Sequence, residues 1–367
     1  MCNIALVVYS LLIYQLSYSA TVKHWFGGFL MMSLPVVLIL NICFVFLWLL
    51  FRSWNFLFSL AILILGWTFI NRTYRFDNSI NLTSKPNSIS VLSYNLMYFD
   101  VYSYVHEQKK ENALNMLKYV RILDADIKCF QEFYNWDEFK DFRTIRMLKR
   151  KNPYYTYMFS TPGNENGQGE IGLAIFSKYP IIHKEEKYWK PNNNGLLAAD
   201  IVRGNDTIRV INVQLKSMGV RVDKLIQARN DEDAAKKEAK TIFGQLKEGF
   251  ELRAIQVKML EDWILKSPYP VLVCGDFNEL PYGYAYGRIR KSLKNAFENA
   301  GNKFGFTYHR RPGYLRIDNQ FFDDRYFEIN GFRTFDDIPY SDHYPIMGRY
   351  VLTHSATATP TNESAVP

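Results

Sequence analysis

Four short blocks carry the side chains best suited to chemistry: Ser93-Tyr94-Asn95-Leu96, Gln131-Glu132, Gly275-Asp276-Phe277-Asn278 and Ser341-Asp342-His343. Their residue types suit attack of water on a phosphate ester. Such an ester is anionic and gains further charge in the transition state, so its cleavage calls for a hard cation and fixed donors. Magnesium takes oxygen ligands, keeps several waters and is commonly held by one or two carboxylates. Manganese accepts the same oxygen set. Glu132 is the first choice for that carboxylate. Asp276 can accept a hydrogen bond from the attacking water, while the Asn278 amide on the same loop can donate to a phosphate oxygen. His343 can donate an N–H to a phosphoryl oxygen and needs an acidic partner to fix its tautomer and raise its pKa. Asp318, in Leu315-Arg316-Ile317-Asp318, is the candidate partner.

The blocks sit where apolar runs end. Ile89 to Leu92, Ile127 to Phe130 and Val271 to Cys274 each lead into one of them, which predicts strands whose ends gather the polar groups. Helical periodicity in Glu111 to Leu123, and again in Leu252, Ile255, Met259 and Trp263, predicts helices on the faces of the sheet. Between Gly219 and Phe250 the charge is dense and mixed, with Asp231-Glu232-Asp233 and Lys236-Lys237. A solvated helical insertion near the mouth of the site is expected there.

Taken singly, Gly-Asp-Phe-Asn is an ordinary turn sequence and Gln-Glu says little. In this order, over roughly residues 88 to 352, the blocks resemble the endonuclease/exonuclease/phosphatase superfamily, in its membrane-anchored bacterial type. The phrase from Gly172 to Ile181 and the strand Ile208 to Leu215 agree. The resemblance implies a DNase I-like four-layered α/β sandwich, two packed β-sheets flanked by helices, and a metal-dependent phosphoric ester hydrolase. Residue by residue it implies Asn95 as a phosphate or metal contact, Glu132 as a metal ligand and Asp342 near the metal. It further implies Asp276 and Asn278 for the water and transition state, with Asp318 paired to His343.

One departure matters. Many relatives carry histidine third in an Asn-x-His-Leu block, whereas this chain reads Asn212-Val213-Gln214-Leu215. Asn212 is expected to contact substrate. Gln214 cannot titrate near neutral pH, so it cannot serve as a general acid, a role worth about a hundredfold to ten-thousandfold. A slow enzyme, one specialised for a good leaving group, and a catalytically impaired phosphate-binding scaffold all follow from that exchange. Asn319-Gln320, after Asp318, also departs from the aromatic and aliphatic pair of many relatives.

Residues 1–76 are of another kind. Ile4 to Tyr18, Phe26 to Phe51 and Phe56 to Ile70 are apolar stretches with very few charges, and a bilayer core of about 30 Å needs about twenty such residues per helix. Three spans are expected, with two as the fallback, anchored in the inner (cytoplasmic) membrane as a multi-pass segment. A signal peptide ending near Ser19-Ala20 competes for the first stretch, but no basic residue precedes it. Arg72, Arg75 and Lys23, counted against Arg52, put the following domain inside. Relatives of this architecture carry a more basic loop at the Arg52 position, which puts it outside, and the side stays open. A linker over 77–88, a catalytic domain over 89–352 and a disordered tail over 353–367 complete the expected organisation. Of the four cysteines, Cys2 and Cys43 belong to the membrane part, and Cys129 and Cys274 read as small buried hydrophobes.

The 367 residues carry a formal charge of +8, which suits a polyanion. Lys149-Arg150-Lys151, Arg288-Arg290-Lys291 and His309-Arg310-Arg311 are the clusters that would track a nucleic acid backbone. A nuclease is therefore the first expectation. A lipid head-group phosphodiesterase or phosphatase is the second, because an anchor over residues 1–70 keeps the site near bilayer substrate.

Overall fold

The computed structural model describes residues 1–76, 87–162, 169–189, 194–219, 224, 226–227, 231–311 and 313–353. Most of the expected linker (77–86) and the tail beyond 353 lie outside the described residues.

The N-terminal part is helical: α1 (Cys2–Ser19), α2 (Trp25–Met32), α3 (Leu34–Leu50), α4 (Phe56–Leu65) and α5 (Trp67–Thr73). Beyond it come β1 (Ser88–Asn95), α6 (Val101–His106), α7 (Lys110–Ile122), β2 (Ile127–Asn135), α8 (Thr144–Leu148), β3 (Tyr154–Pro162), β4 (Glu170–Ser177), β5 (Ile181–Trp189), β6 (Asn194–Arg203) and β7 (Asp206–Gln214). A long helix α9 (Glu232–Leu265) precedes β8 (Val271–Asp276), α10 (Tyr284–Ile289), β9 (Lys294–Asn295), α11 (Ala296–Ala300), β10 (Asp318–Phe322), β11 (Phe327–Thr334) and β12 (Ile346–Leu352).

The strands form two mixed six-stranded sheets, ordered β11-β12-β1-β2-β4-β3 and β5-β6-β7-β8-β10-β9. Among the described residues only β1/β2 and β7/β8 pair in parallel, so the site blocks that end these strands come out at the same edges. Alternation decides what faces what. Ile127 and Cys129 of β2 meet Leu272 and Cys274 of β8 in the core between the sheets, while Phe130 turns outward under the helices. α7 covers that outer face with Ala113, Met116, Leu117 and Val120, an i, i+3, i+4, i+7 stripe. The two-sheet sandwich with helices on both outer faces is the expected architecture, preceded by apolar helices. All four cysteines are free, with Cys129 and Cys274 buried.

α9 departs from expectation in its orientation. It buries Phe250, Ala254, Val257, Leu260 and Ile264, whereas Ile255 is 69% exposed and Met259 and Trp263 only half-buried. The packed face is hard to see because it also carries Arg253 and Gln256. Arg253 lies near the Glu279 carboxylate (3.9 Å) and donates to the Lys216 carbonyl, and Gln256 accepts from the Lys216 N–H. Its first turns carry the expected charge: Asp231 caps the helix by accepting from Asp233 N and Ala234 N at 3.0 Å, and Glu232 pairs with Lys236 in solvent.

Two N-terminal helices are long and apolar enough to cross a membrane: α1, and the 26-residue run Trp25–Leu50 comprising α2 and α3. The third expected span is not one straight helix. α4 and α5 meet at Gly66 with a bend of 68°. α5 carries Arg72, whose charge is costly in hydrocarbon, and the bend turns it toward the sandwich instead. There the guanidinium donates to Pro281 O (3.3 Å), lies 3.7 Å from Glu298 and stacks over the Phe69 and Tyr286 rings. Ser17 donates to Tyr282 O, Thr73 pairs with the Tyr282 hydroxyl, and Arg316 donates to Arg72 O. Ile13, Tyr14, Leu34, Val37, Leu38, Ile62 and Phe69 close over Tyr282 in one apolar cluster. The helices thus pack directly on the loop that follows Asp276-Phe277-Asn278.

Candidate active site

Six elements deliver the polar blocks to one end of the sandwich. Asn95 ends β1, Gln214 ends β7 and Asp276 ends β8, with Gln214 directly beside Asp276 in the parallel register. Asp318 opens β10 opposite Asp276. His343 lies in the loop before β12, bridged to Tyr308.

Glu132 needs a device to join them, because strict alternation would turn it outward with Phe130. β2 bulges here: Phe130 opposes Ala174 and Phe133 opposes Gly172, so Gln131 and Glu132 together face a single residue of β4. Phe130 and Phe133 both stay in the outer core. Gln131 and Glu132 both reach across to the other sheet, bonding Asn212 and Gln214. Glu132 adopts φ +49° to do so, as does Asn278, an unfavourable region for residues with a Cβ. Gly275 has φ +144°, and a Cβ there would collide with the Val213 backbone.

Asp276 is held from three sides. Its carboxylate accepts from Asn95 Nδ2 (3.1 Å), Asn278 N (2.8 Å) and Asn278 Nδ2 (2.9 Å). Asn95 is itself oriented, because its Oδ1 accepts from Met97 N. Burial pushes Asp276 up to about 7, with the Asp318 charge adding to the rise, while the His343 charge and the Asn278 N–H oppose it. His343 Nδ1 lies 2.8 Å from Asp318 Oδ2, which fixes the ring and leaves Nε2 4.0 Å from Asp276 Oδ2. Burial works against the imidazolium, but the carboxylates of Asp318 and Asp276 outweigh it and raise His343 to about 10. Asp318 is fixed in turn by its N–H donating to Thr307 Oγ1.

Glu132 accepts from Gln214 Nε2 at 2.9 Å and stays partly open to the cavity. Burial and the nearby Asp342 charge hold its carboxyl above the ordinary range. Gln214 Oε1 is buried and has no hydrogen-bond partner among the described residues. Arg310 lies 3.8 Å from Asp342, exposed on its own side. Glu132, Asp276, Asn278, Asp342 and His343 all line one cavity of about 380 Å³.

Two expected site residues behave differently. Asn212 is fully buried, and its amide donates to Phe130 O and Ala174 O while accepting from Gln131, so it ties the two sheets together behind the cavity. Asn278 lines the cavity, yet both its amide protons are engaged, on Asp276 and on Leu215 O. It therefore positions Asp276. Residues not singled out beforehand also matter: Ser341 Oγ donates to Asn95 O and accepts from His343 N, Thr307 holds Asp318, and the Tyr308 ring stands edge-on to His343 at 5.1 Å. Ser341 was legible as part of its block; Thr307 and Tyr308 had no motif to mark them.

Asp276, Asp318 and His343 bring donor atoms within 4.8 Å of one another, close enough to hold an ion. The imidazole argues against that use, because its Nδ1 is bonded to Asp318 and the Asp318 and Asp276 carboxylates favour its protonated form. Glu132 and Asp342 fit a cation better. Asp342 adds to the cost of charge on Glu132, an orphaned amide oxygen lies beside it, and a cation would relieve both.

The chain belongs to the endonuclease/exonuclease/phosphatase family, whose model matches residues 92–343. This is a family of phosphoester hydrolases that typically depend on a divalent metal. Residues 1–73 match a second model, described as Domain of unknown function (DUF8431). No curated protein sequence gives a significant match. Among solved structures, SmcL shares the fold at 13% identity and a TM-score of 0.50, with 72% of this chain and 99% of that one covered. A humanized D. rerio TDP2 aligns at 15% identity and TM-score 0.48, covering 72% of this chain and 99% of the other. A family member from Bacteroides thetaiotaomicron aligns at 17% and 0.49, covering 74% and 100%.

Proposed function

We propose that this protein is a membrane-anchored, Mg²⁺-dependent phosphodiester hydrolase, with the anchor over residues 1–76 and the hydrolase domain over 89–352. The observation that carries it is the buried array Asp318–His343–Asp276 beside Glu132 and Asp342 in one cavity. Residues 1–70 sit in the inner membrane as a multi-pass segment, supported by the apolar length of α1 and of Trp25–Leu50.

Glu132 and Asp342, with Asn95 beside them, are the groups to hold Mg²⁺ or Mn²⁺, which supplies Lewis-acid charge to the phosphoryl oxygens. Asp276, poised near neutral pH, takes the proton of the attacking water as the new P–O bond forms. Asn95 and Asn278 aim its carboxylate. His343 Nε2–H donates to a phosphoryl oxygen as charge builds, with Asp318 holding the ring. The P–O bond to the leaving group breaks opposite the water, and that oxygen draws its proton from solvent because Gln214 has none to give. Gln214 instead steadies Glu132.

The net charge first favoured nucleic acid as substrate. Of the basic clusters behind that expectation, Arg288 pairs with Glu261 and Arg290 with Glu298, and neither lines the cavity, while Arg310 stands at its rim, 3.8 Å from Asp342. The test of the hydrolase reading is turnover of bis(p-nitrophenyl) phosphate by the full chain. Mg²⁺-dependent release of p-nitrophenol that disappears in Asp276→Ala, with circular dichroism unchanged, supports it; retained turnover in that variant refutes the assignment.

A further inference from the structure

We infer that the substrate of this site is a phosphoester of a membrane lipid, hydrolysed while its acyl chains stay in the bilayer. The inference rests on the hydrolase reading above and names its substrate class.

The cavity lining is of two kinds. Glu132, Asp276, Asp342 and His343 are the charged or titratable part; Met32, Met218, Leu246, Leu280, Leu315 and Ile317 are apolar. Among the described residues no Lys or Arg lines it. A nucleic acid strand presents several phosphates at once and is gripped mainly by cationic side chains, so this lining suits it poorly. A molecule with one phosphoester and an apolar body matches both kinds of lining.

The position of Met32 adds the membrane. It is the last residue of α2, and the chain runs on through Ser33 into α3 as one apolar run of 26 residues. At about 1.5 Å per residue that run is about 39 Å long, roughly 9 Å more than a bilayer core needs. The surplus lies at the α2 end. Phe29 stacks on Phe243 at 5.0 Å and meets Phe250 at 5.4 Å, both on the charged helix α9, and the Phe250 ring fills the space beside Gly28. Lys247 stands over the Trp25 ring at 5.3 Å, an interfacial pairing of cation and indole. Met32 therefore falls near the level where the helix enters hydrocarbon, which is the level of lipid phosphates. Leu280 makes the same join from the other direction, packing on the anchor's apolar cluster while lining the cavity. α3 beyond this point shows Val36, Ile39, Leu40 and Phe46 outward, as a lipid-facing helix does.

The test uses the full chain in phospholipid nanodiscs with Mg²⁺. The substrates are phosphatidic acid, phosphatidylglycerol, phosphatidylethanolamine and phosphatidylinositol, each beside its deacylated counterpart, together with a single-stranded oligonucleotide and bis(p-nitrophenyl) phosphate. At least one diacyl lipid should exceed its deacylated counterpart in kcat/KM by about tenfold, what burial of roughly two methylene groups supplies. Met32→Asp and Leu246→Asp, from two different helices, should each lower that ratio about tenfold. Equal kcat/KM with and without acyl chains, a ratio unmoved by both substitutions, or preference for the oligonucleotide over every lipid overturns the inference. Silence on every lipid with sustained p-nitrophenol release sinks the lipid inference alone. Silence on bis(p-nitrophenyl) phosphate as well sinks the hydrolase reading with it.

Discussion

Two clusters of buried charge lie a few residues apart in this protein, and they are built on opposite plans. At the seam between anchor and sandwich, Arg72 and Arg290 flank Glu298, and Arg316 donates to the Arg72 carbonyl. Arg290 meets Glu298 at 2.9 Å, Tyr286 donates to it, and the remaining cationic surface is covered by backbone carbonyls and by the Phe69, Tyr286 and Phe297 rings. The arginines hold the Glu298 carboxyl below the ordinary range, although burial acts the other way. At the site, Glu132, Asp276, Asp318 and Asp342 face one imidazole and one arginine at the rim, and Glu132 and Asp276 are pushed up. A cluster whose carboxylate is matched by the cations around it holds a structure together. One left with surplus negative charge, at the edge of a cavity, is prepared for a cation and a proton transfer.

Substitutions at each cluster should separate the two plans. The largest effect is expected at the site: Asp276→Ala should lower turnover about a hundredfold to ten-thousandfold without lowering thermal stability at neutral pH, read by steady-state kinetics beside calorimetry. Glu298→Ala should do the reverse, costing about 3 kcal/mol of stability because it strands buried arginines, and showing first as dissociation of the N-terminal helices from the sandwich by limited proteolysis. If Glu298→Ala proves neutral, the seam is not the matched cluster described here.

A smaller effect separates the plans by pH, measured without metal. Asp276 has a raised folded value, so the native state binds the extra proton and stability falls as pH rises from about 4 to about 7. Glu298 has a depressed one, so its contribution is complete above about 4.3 and is lost as pH falls through its folded value. Asp276→Asn should flatten the neutral limb of the melting profile and Glu298→Gln the acid limb. A variant that flattens the wrong limb would reverse the assignment. Last, Gln214→His puts a titratable group next to Asp276 and should raise turnover on a generic phosphodiester by up to about a hundredfold, the low end of general-acid effects. Unchanged or lower turnover would mean that the Gln214 bond to Glu132 matters more than a proton at that position.

The sandwich was legible because its strands end on polar blocks, and the array Asp276–His343–Asp318 because each member lies in a short, recognisable phrase. What escaped the sequence depends on geometry that residue types do not encode. Glu132 was identified by type, but only the bulge in β2 explains how it and Gln131 both turn inward. Asn212 looked like a ligand contact because polar residues at strand ends usually face solvent or substrate; here it satisfies two carbonyls between sheets. The buried face of α9 was misread because Arg253 and Gln256 interrupt it, their burial compensated by Glu279 and Lys216. Arg72, on the helix that follows the bend at Gly66, meets Glu298 more than 200 residues away in sequence, a pairing no local pattern encodes. Met32 reads as one more apolar residue of a membrane segment, and nothing local marks it as a wall of the cavity.

The most direct measurement is the hydrolysis of bis(p-nitrophenyl) phosphate by the full chain across a Mg²⁺ titration, repeated with EDTA and with Glu132→Gln. Turnover that rises with Mg²⁺, vanishes in EDTA and is lost in the variant is the expected result. Turnover indifferent to EDTA, or a variant with the wild-type Mg²⁺ dependence, would contradict the assignment of the surplus negative charge to a cation.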